Sequence, residues 1–263
     1  MGDLVLHFLN RPGALSRFTF ACLGGALLVS LAAGAGPAAA APTCDGPASA
    51  VTADEKLPSV AVGLRPGGNF RILALGSGSL AATGADGQPQ PSFPASMLAN
   101  LRQAIPDSHI ELTQLGLRRA KAADMLATLR AELERGQYGL VIWQTGTVEA
   151  MDRTRVESFA AALTDGAEAI RRAGADLVLV DPAFSRVLQN RANPAPYIQA
   201  LASLAAGPGI VQFRRYELTM GWVQRQDLDL ERANPQARGT IAANLAQCVG
   251  TALARFVLSA AEK

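Results

Sequence analysis

Two serines, Ser77 and Ser79, lie in the stretch ILALGSGSLAATG, where an apolar run passes into a loop of glycines and hydroxyl residues. A loop that follows a buried strand in this way can present a nucleophilic hydroxyl, or backbone N–H groups, to a ligand. The loop also matches the G-x-G-x-x-A pattern of a dinucleotide-binding turn, starting at Gly76. That pattern needs a helix to begin inside it, whereas glycines and prolines keep the chain irregular as far as Pro94. We therefore expect no cofactor.

A serine hydroxyl becomes an effective nucleophile only beside a base, normally histidine or lysine. Of the two histidines, His7 lies in a predicted signal peptide, and His109 begins the second predicted strand at the edge of the sheet opposite the loops. Lys121 falls on a predicted helix and Lys56 in a predicted tail. The sequence thus predicts neither a Ser–His nor a Ser–Lys pair, and its few histidines and cysteines predict no metal site.

The elements that would position the serines alternate regularly from residue 71 onward. The predicted strands are RILALG, HIELTQL, GLVIWQTG, ADLVLVDP and GIVQFRRY, and amphipathic helices lie between them. This alternation predicts a three-layer α/β/α fold, with a doubly wound parallel sheet of about five strands. Ligands of such folds bind at the carboxyl ends of the strands, where the Gly-Ser loop lies.

Polar residues at the same predicted end could complete a binding pocket. Glu149 or Glu231 would then serve as a weak base toward Ser79, and an arginine rim would bind an acidic glycan or a carboxylate. The alternative is that the hydroxyls stabilise turns, Asp181 caps a strand end and Glu149 is solvated. The predicted binding residues are Ser77, Ser79, Arg118, Thr147, Glu149 and Asp181, and Arg119, Arg214 and Arg215 extend the rim.

Three segments are predicted along the chain. Residues 1–41 carry Arg11 and Arg17 ahead of an apolar run and PAAAAP, which is typical of a secretory signal peptide, although an uncleaved anchor is the alternative. Residues 42–70 are rich in proline and glycine and are predicted to form an ordered tail or linker, and residues 71–263 form the domain. We expect an exported protein, periplasmic or secreted, with no stable membrane span after cleavage.

Cleavage would leave two cysteines, Cys44 and Cys248. In an exported protein they predict one disulfide, which would join the tail to the last helix. The alternative is a buried thiol at Cys248, which is in helical phase with Ile241 and Leu245.

Composition argues against nucleic acid as a partner. The formal net charge is only +2, and aromatic residues make up 5% of the chain. Neither a basic field nor an aromatic stacking platform is therefore expected.

The order of the loops resembles that of the SGNH, or GDSL, hydrolases. A Gly-Ser loop follows the first strand, a glycine-containing turn follows the second, and a WQ-x-G-T block ends the third. VIWQTGT, FRRYEL and NPQARG are the stretches most similar to exported bacterial members whose first block reads Gly-Ser-Ser-Ser-Thr. The resemblance extends over roughly residues 71–256 and implies a flavodoxin-like ester-hydrolase fold.

The family's name refers to four functional residues, and by this resemblance all four are replaced. The equivalent positions hold Gly78 for the nucleophilic Ser, Arg118 or Arg119 for the oxyanion Gly, Val148 for the Asn, and Asn234 for the His, with Glu231 in place of its Asp.

The resemblance and the replacements together predict a catalytically degenerate member of the family. Its role would be to bind or scaffold in the cell envelope, with an envelope glycan or an acylated small molecule as ligand. The alternative is an active esterase, lipase-like enzyme or carbohydrate O-acyl esterase, using Ser79 or a non-standard site.

Overall fold

The computed structural model describes residues 44–81, 83 and 87–262, which belong to one compact unit. The predicted signal peptide lies outside the described residues. The strands are β1 (Asn69–Gly76), β2 (His109–Gly116), β3 (Leu140–Gln144), β4 (Asp176–Val180) and β5 (Ile210–Phe213). The helices are α1 (Ala48–Val51), α2 (Pro58–Gly63), α3 (Phe93–Ala104), α4 (Ala122–Arg135), α5 (Thr147–Met151), α6 (Val156–Arg172), α7 (Arg186–Arg191), α8 (Ala195–Leu204), α9 (Arg215–Gln224) and α10 (Arg238–Glu262).

The five strands form one sheet in the order β2-β1-β3-β4-β5, and every neighbouring pair is parallel. β1, β3 and β4 are buried almost throughout because helices cover both faces. The predicted three-layer, flavodoxin-like fold is confirmed. The connections reverse direction between β1 and β3, and this topological switch point is where such folds bind ligands.

Alternate residues of each strand supply two separate cores. Ile72 and Ile142 face a core formed with α1, α2, α3, α9 and α10. Leu73 and Trp143 face the other core, formed chiefly with α4, α6 and α8. Trp143 is fully buried and donates from Nε1 to Met125 Sδ at 3.2 Å. The sheet is thus anchored on both faces, which holds its strand ends in place.

The segment predicted as a tail or linker packs into the domain over its described part. Ala50, Leu57 and Val60 are fully buried against the α10 side of the sheet. The Leu57 N–H donates to the Ala260 carbonyl at 3.0 Å, and the Val60 N–H donates to Asp176 Oδ2 at 2.9 Å. The apolar spacing that forms α2 is present in the sequence, but the surrounding prolines and glycines obscured it.

The predicted disulfide is confirmed. Cys44 and Cys248 are bonded with an S–S distance of 2.02 Å, across 204 residues of sequence. The alternative of a free thiol at Cys248 is therefore wrong, although this residue is buried as that alternative required. The bond joins the start of the described chain to the middle of α10.

The predicted fifth strand, GIVQFRRY, is wrong at its carboxyl end. β5 ends at Phe213, and α9 begins at Arg215, within the predicted strand GIVQFRRY. The helix was missed because its buried face mixes the polar Arg215 and Thr219 with Leu218 and Trp222, so the sequence shows no apolar stripe. This early helix start carries Arg215 into the interior.

α10 is long and apolar enough, by length and composition alone, to cross a membrane. Within the described structure it packs against α3 and the sheet, and Val249, Leu253 and Val257 belong to the core. It is therefore a core helix of this domain.

The contact between α10 and α3 requires a glycine at position 250. A Cβ at Gly250 would lie 2.4 Å from Ser96 Cβ and 2.6 Å from the Phe93 carbonyl oxygen. We expect Gly250→Ala to lower the free energy of unfolding by roughly 1–3 kcal/mol, because the two helix backbones must separate.

Gly239 in the same helix has nothing within 4 Å of a built Cβ. Gly239→Ala is the matched control and should raise stability by up to about 1 kcal/mol. Urea denaturation measures both, and equal effects would contradict the close approach.

Candidate functional site

The Gly-Ser loop lies at the topological switch point of the sheet. Gly76 ends β1 and pairs in register with Gln144, the last residue of β3. A Cβ at Gly76 would lie 2.9 Å from Gln144 Oε1, so the glycine leaves room for the Gln144 side chain. The loop after β1 therefore lies directly beside this glutamine.

Gln144 holds both serines of the loop. Ser79 Oγ donates to Gln144 Oε1 at 2.8 Å, and Gln144 Nε2 donates to Ser77 Oγ at 3.3 Å. Ser77 and Gln144 are buried, whereas Ser79 is exposed. An amide oxygen accepts a hydrogen bond but cannot take the serine proton at neutral pH. Gln144 was not among the predicted site residues. The signal was a polar side chain at the end of a buried strand, because a buried amide needs hydrogen-bond partners.

The backbone of the loop is fixed by two further glutamines. Residues Gly78–Leu80 form a single 3₁₀ turn. Gln90 Nε2 donates to the Gly78 carbonyl at 3.2 Å, and Gln114 Nε2 donates to the Leu80 carbonyl at 2.7 Å. These bonds make the loop a well-defined turn, in agreement with the alternative interpretation of the serines as turn residues.

Position 78, where the resemblance expects a serine, has room for one. A Cβ built on Gly78 would meet only Arg118 Cγ, at 3.9 Å. Arg118 itself donates from Nη2 to the Thr83 carbonyl oxygen, so it is held across the loop. Arg119 has a φ of 59°, the left-handed conformation that favours glycine. Of the two residues considered for the oxyanion glycine, Arg119 therefore has the backbone that a glycine would adopt.

Glu149 is buried, which contradicts the alternative of a solvated side chain. Its carboxylate accepts hydrogen bonds from Gly146 N at 2.9 Å, from Thr145 Oγ1 at 3.0 Å and from Ala122 N. These bonds join the β3–α5 loop to the start of α4. With three donors, this carboxylate is a structural link, and the hydrogen bond from Ser79 goes to Gln144 instead. Thr147 and Val148 form the first turn of α5 and are half-buried.

Glu231 does not contact the serine loop. Its carboxylate accepts from Ser185 Oγ at 2.6 Å and from the Arg186 N–H at 2.9 Å, at the amino end of α7. Burial alone would raise the pKa of Glu231, but the hydrogen bonds from Ser185, Arg186 and Val187 outweigh burial and lower it. The hypothesis that Glu231 is a base toward Ser79 therefore has no support in the geometry.

Asn234 caps the turn that precedes α10. Its Oδ1 accepts from the Ala237 N–H at 2.7 Å, and the residue is exposed. A short polar side chain that caps a turn in this way is a common stabilising feature. Asn234 can therefore be replaced without disturbing the core.

Asp181 is buried directly after β4, and it links the end of this strand to β5 and α9. Its carboxylate accepts from the Tyr216 N–H at 2.8 Å and from Gln212 Nε2 at 3.1 Å. Burial raises the pKa of Asp181 to about 7, while the Tyr216 N–H and the nearby Arg215 charge act in the opposite direction. The residue thus fixes the β5–α9 turn, in agreement with its interpretation as a strand-end cap.

The bases considered from the sequence lie elsewhere among the described residues. His109 is exposed at the amino end of β2, and its Nε2 lies 3.1 Å from Glu111 Oε1. Lys121 Nζ pairs with Asp152 at 3.1 Å. Within the described part of the chain, no three His, Cys, Asp or Glu side chains are grouped as metal ligands.

A cleft of about 260 Å³ opens beside Ser79. Gln90, Arg215 and Thr219 contribute polar groups to its lining, and most of the remaining wall is apolar. Arg215 was predicted only as part of a surface rim, but it is 95% buried, with 5% of its surface exposed. Arg214 is instead on the surface and pairs with Asp54 at 2.8 Å. The predicted arginine rim is therefore divided between the interior and the surface.

Comparison with known proteins identifies the fold. Residues 43–263 match the family model described as the Non-GDSL lipase-like family. A mutant of Axe2, an acetyl-xylooligosaccharide esterase from Geobacillus stearothermophilus, superposes with a TM-score of 0.55 at 12% identity, covering 72% of this chain and 94% of that chain. LAE5, an α/β hydrolase from the Lake Arreo metagenome, superposes with a TM-score of 0.52 at 14% identity, covering 69% of this chain and 95% of that chain. No curated protein matches the chain. The resemblance to SGNH/GDSL hydrolases inferred from the sequence is confirmed.

Proposed function

We propose that this chain, which belongs to the Non-GDSL lipase-like family, binds a ligand without hydrolysing it. The esterase-type fold is retained, and the catalytic residues of the fold are replaced. The binding site is the cleft beside the Gly-Ser loop, and its ligand is an acylated or acidic small molecule of the cell envelope.

The observation that carries the proposal is the hydrogen bond from Ser79 Oγ to Gln144 Oε1 at 2.8 Å. The described structure places no histidine, lysine or carboxylate within hydrogen-bond distance of this hydroxyl. Without a base the hydroxyl stays protonated and is a poor nucleophile. The loss of an oxyanion donor alone typically costs about 10²–10³ in rate.

Export of the protein is part of the proposal. The Cys44–Cys248 disulfide supports it, because such bonds persist in oxidising compartments such as the periplasm. The apolar run with flanking arginines in residues 1–41 is the matching sequence signal.

Treatment with a fluorophosphonate tests the proposal against the active-esterase alternative. We expect no covalent labelling, and hydrolysis of short p-nitrophenyl esters no faster than that of the Ser79→Ala variant. Ser77→Ala is the matched control, because Ser77 bonds to the same glutamine but is buried. Stoichiometric labelling that is lost in Ser79→Ala and kept in Ser77→Ala would overturn the proposal and establish an active hydrolase.

A further inference from the structure

Arg215 is a buried cation whose donors are mostly unused. Its Nε donates to the Asp181 backbone carbonyl at 3.1 Å, and its guanidinium carbon lies over the Phe93 ring, 5.4 Å from the ring centroid. Among the described residues neither Nη atom has a hydrogen-bond acceptor, and no carboxylate lies within 4 Å of the guanidinium. Four N–H donors in a fixed planar arrangement are therefore available.

The surroundings leave this charge poorly compensated. Burial lowers the pKa of Arg215 to about 10, so the group is still cationic at neutral pH. The carboxylate of Asp181 acts on this charge, but it already accepts hydrogen bonds from Tyr216 N and Gln212, and burial raises its own pKa to about 7. A buried, unpaired charge is costly, and an anionic ligand would relieve that cost.

The cleft that Arg215 lines is apolar and small. Its apolar wall includes Phe93, Leu230, Ala242, Leu245, Ala246 and Val249. The volume of about 260 Å³ is just below the roughly 300 Å³ at which pockets begin to hold drug-sized ligands. A ligand of this cleft therefore combines one anionic group with a short apolar body.

We propose that the cleft binds a small organic carboxylate with a short, unbranched apolar tail, and that the two Nη atoms of Arg215 hold the carboxylate in a bidentate pair. The Arg fork matches carboxylate geometry, and the tail lies against the α10 residues of the wall. An inorganic anion alone would leave the apolar wall in contact with water. A neutral ester would leave the guanidinium without a counterion. This inference rests on the proposed binding role and specifies its ligand.

Isothermal titration calorimetry with sodium octanoate tests the inference on the intact, oxidised protein. We expect saturable 1:1 binding of octanoate, and binding weaker by roughly 10–100-fold for octanamide, which lacks the charge. Acetate, which lacks the tail, should also bind at least about tenfold more weakly. Equal affinity for octanoate and octanamide would overturn the role of Arg215, and equal affinity for octanoate and inorganic phosphate would overturn the role of the apolar wall.

Three variants locate the site. Arg215→Gln should weaken octanoate binding at least about tenfold, and Ala246→Leu, which fills the cleft but keeps the guanidinium, should do the same. Arg214→Gln is the matched control, because Arg214 pairs with Asp54 on the surface, and it should bind like the wild type. If Arg215→Gln does not fold, Ala246→Leu decides, and wild-type affinity in this variant would overturn the proposal.

Failure of this inference is distinguishable from failure of the proposed function. The same preparations are assayed for ester hydrolysis and fluorophosphonate labelling. An inert protein that does not bind octanoate contradicts only the inference, whereas a labelled protein that binds octanoate contradicts only the non-hydrolysing role.

Discussion

Removal of the Cys44–Cys248 disulfide is expected to lower the free energy of unfolding by roughly 2–5 kcal/mol. The bond closes a loop across 204 residues, almost the whole described chain, so it strongly restricts the unfolded state. For a domain of this size, the loss corresponds to a melting temperature lower by roughly 4–20 °C. Cys44→Ser combined with Cys248→Ala provides the variant, and differential scanning calorimetry measures the change.

The reduced wild type provides the second arm of this experiment. Dithiothreitol should lower the wild-type melting temperature to near that of the double variant, and should leave the double variant unchanged. A wild type that melts at the same temperature with and without reductant would contradict a stabilising role for the bond. The described segment before β1 should open first on reduction, because the bond joins its start to α10.

Restoration of the family residues is expected to raise ester hydrolysis by about 10²-fold or more over wild type. The variant combines Gly78→Ser, Arg119→Gly, Val148→Asn and Asn234→His. Position 78 has room for the added side chain, and Arg119 already has the left-handed backbone that suits glycine. Loss of the Asn234 cap should cost only about 1 kcal/mol.

The gain should remain well below that of a complete triad. The new histidine would lack an orienting carboxylate, because Glu231 is engaged at the amino end of α7. The matched control carries Gly78→Ala with the other three substitutions, and should hydrolyse p-nitrophenyl esters no faster than wild type. A folded restored variant that equals this control would show that the family positions are assigned in the wrong register.

Some features could be predicted from the sequence because they depend on local chemistry. The apolar runs that end in loops, such as RILALG and ADLVLVDP, are long enough and regular enough to predict a parallel sheet and its order of layers. The carboxyl ends of α4 and α6 are marked in the sequence by the glycines that follow them, Gly136 and Gly174. The disulfide could be predicted because only Cys44 and Cys248 lie outside the predicted signal peptide, and two cysteines allow one pairing.

Other features depend on residues that are distant in the sequence. α2 and α9 form because the sheet and α10 cover residues such as Leu57 and Trp222, and not because of a strong local pattern. Likewise, the local sequence TVEAM predicts that Glu149 lies on the surface. It is buried because three donors, from the β3 loop and from α4, converge on it.

The loop after β1 shows both what the sequence determines and what depends on the tertiary structure. The sequence by itself determined that two serines follow a buried strand, and that no histidine stands where a triad would need one. Only the tertiary structure decided what the serines do, because their partner, Gln144, comes from a different strand and reaches them only when β1 and β3 pair. The same holds for Arg215, whose type is visible in FRRY, but whose burial and unused donors arise only when α3, α9 and α10 close around the cleft.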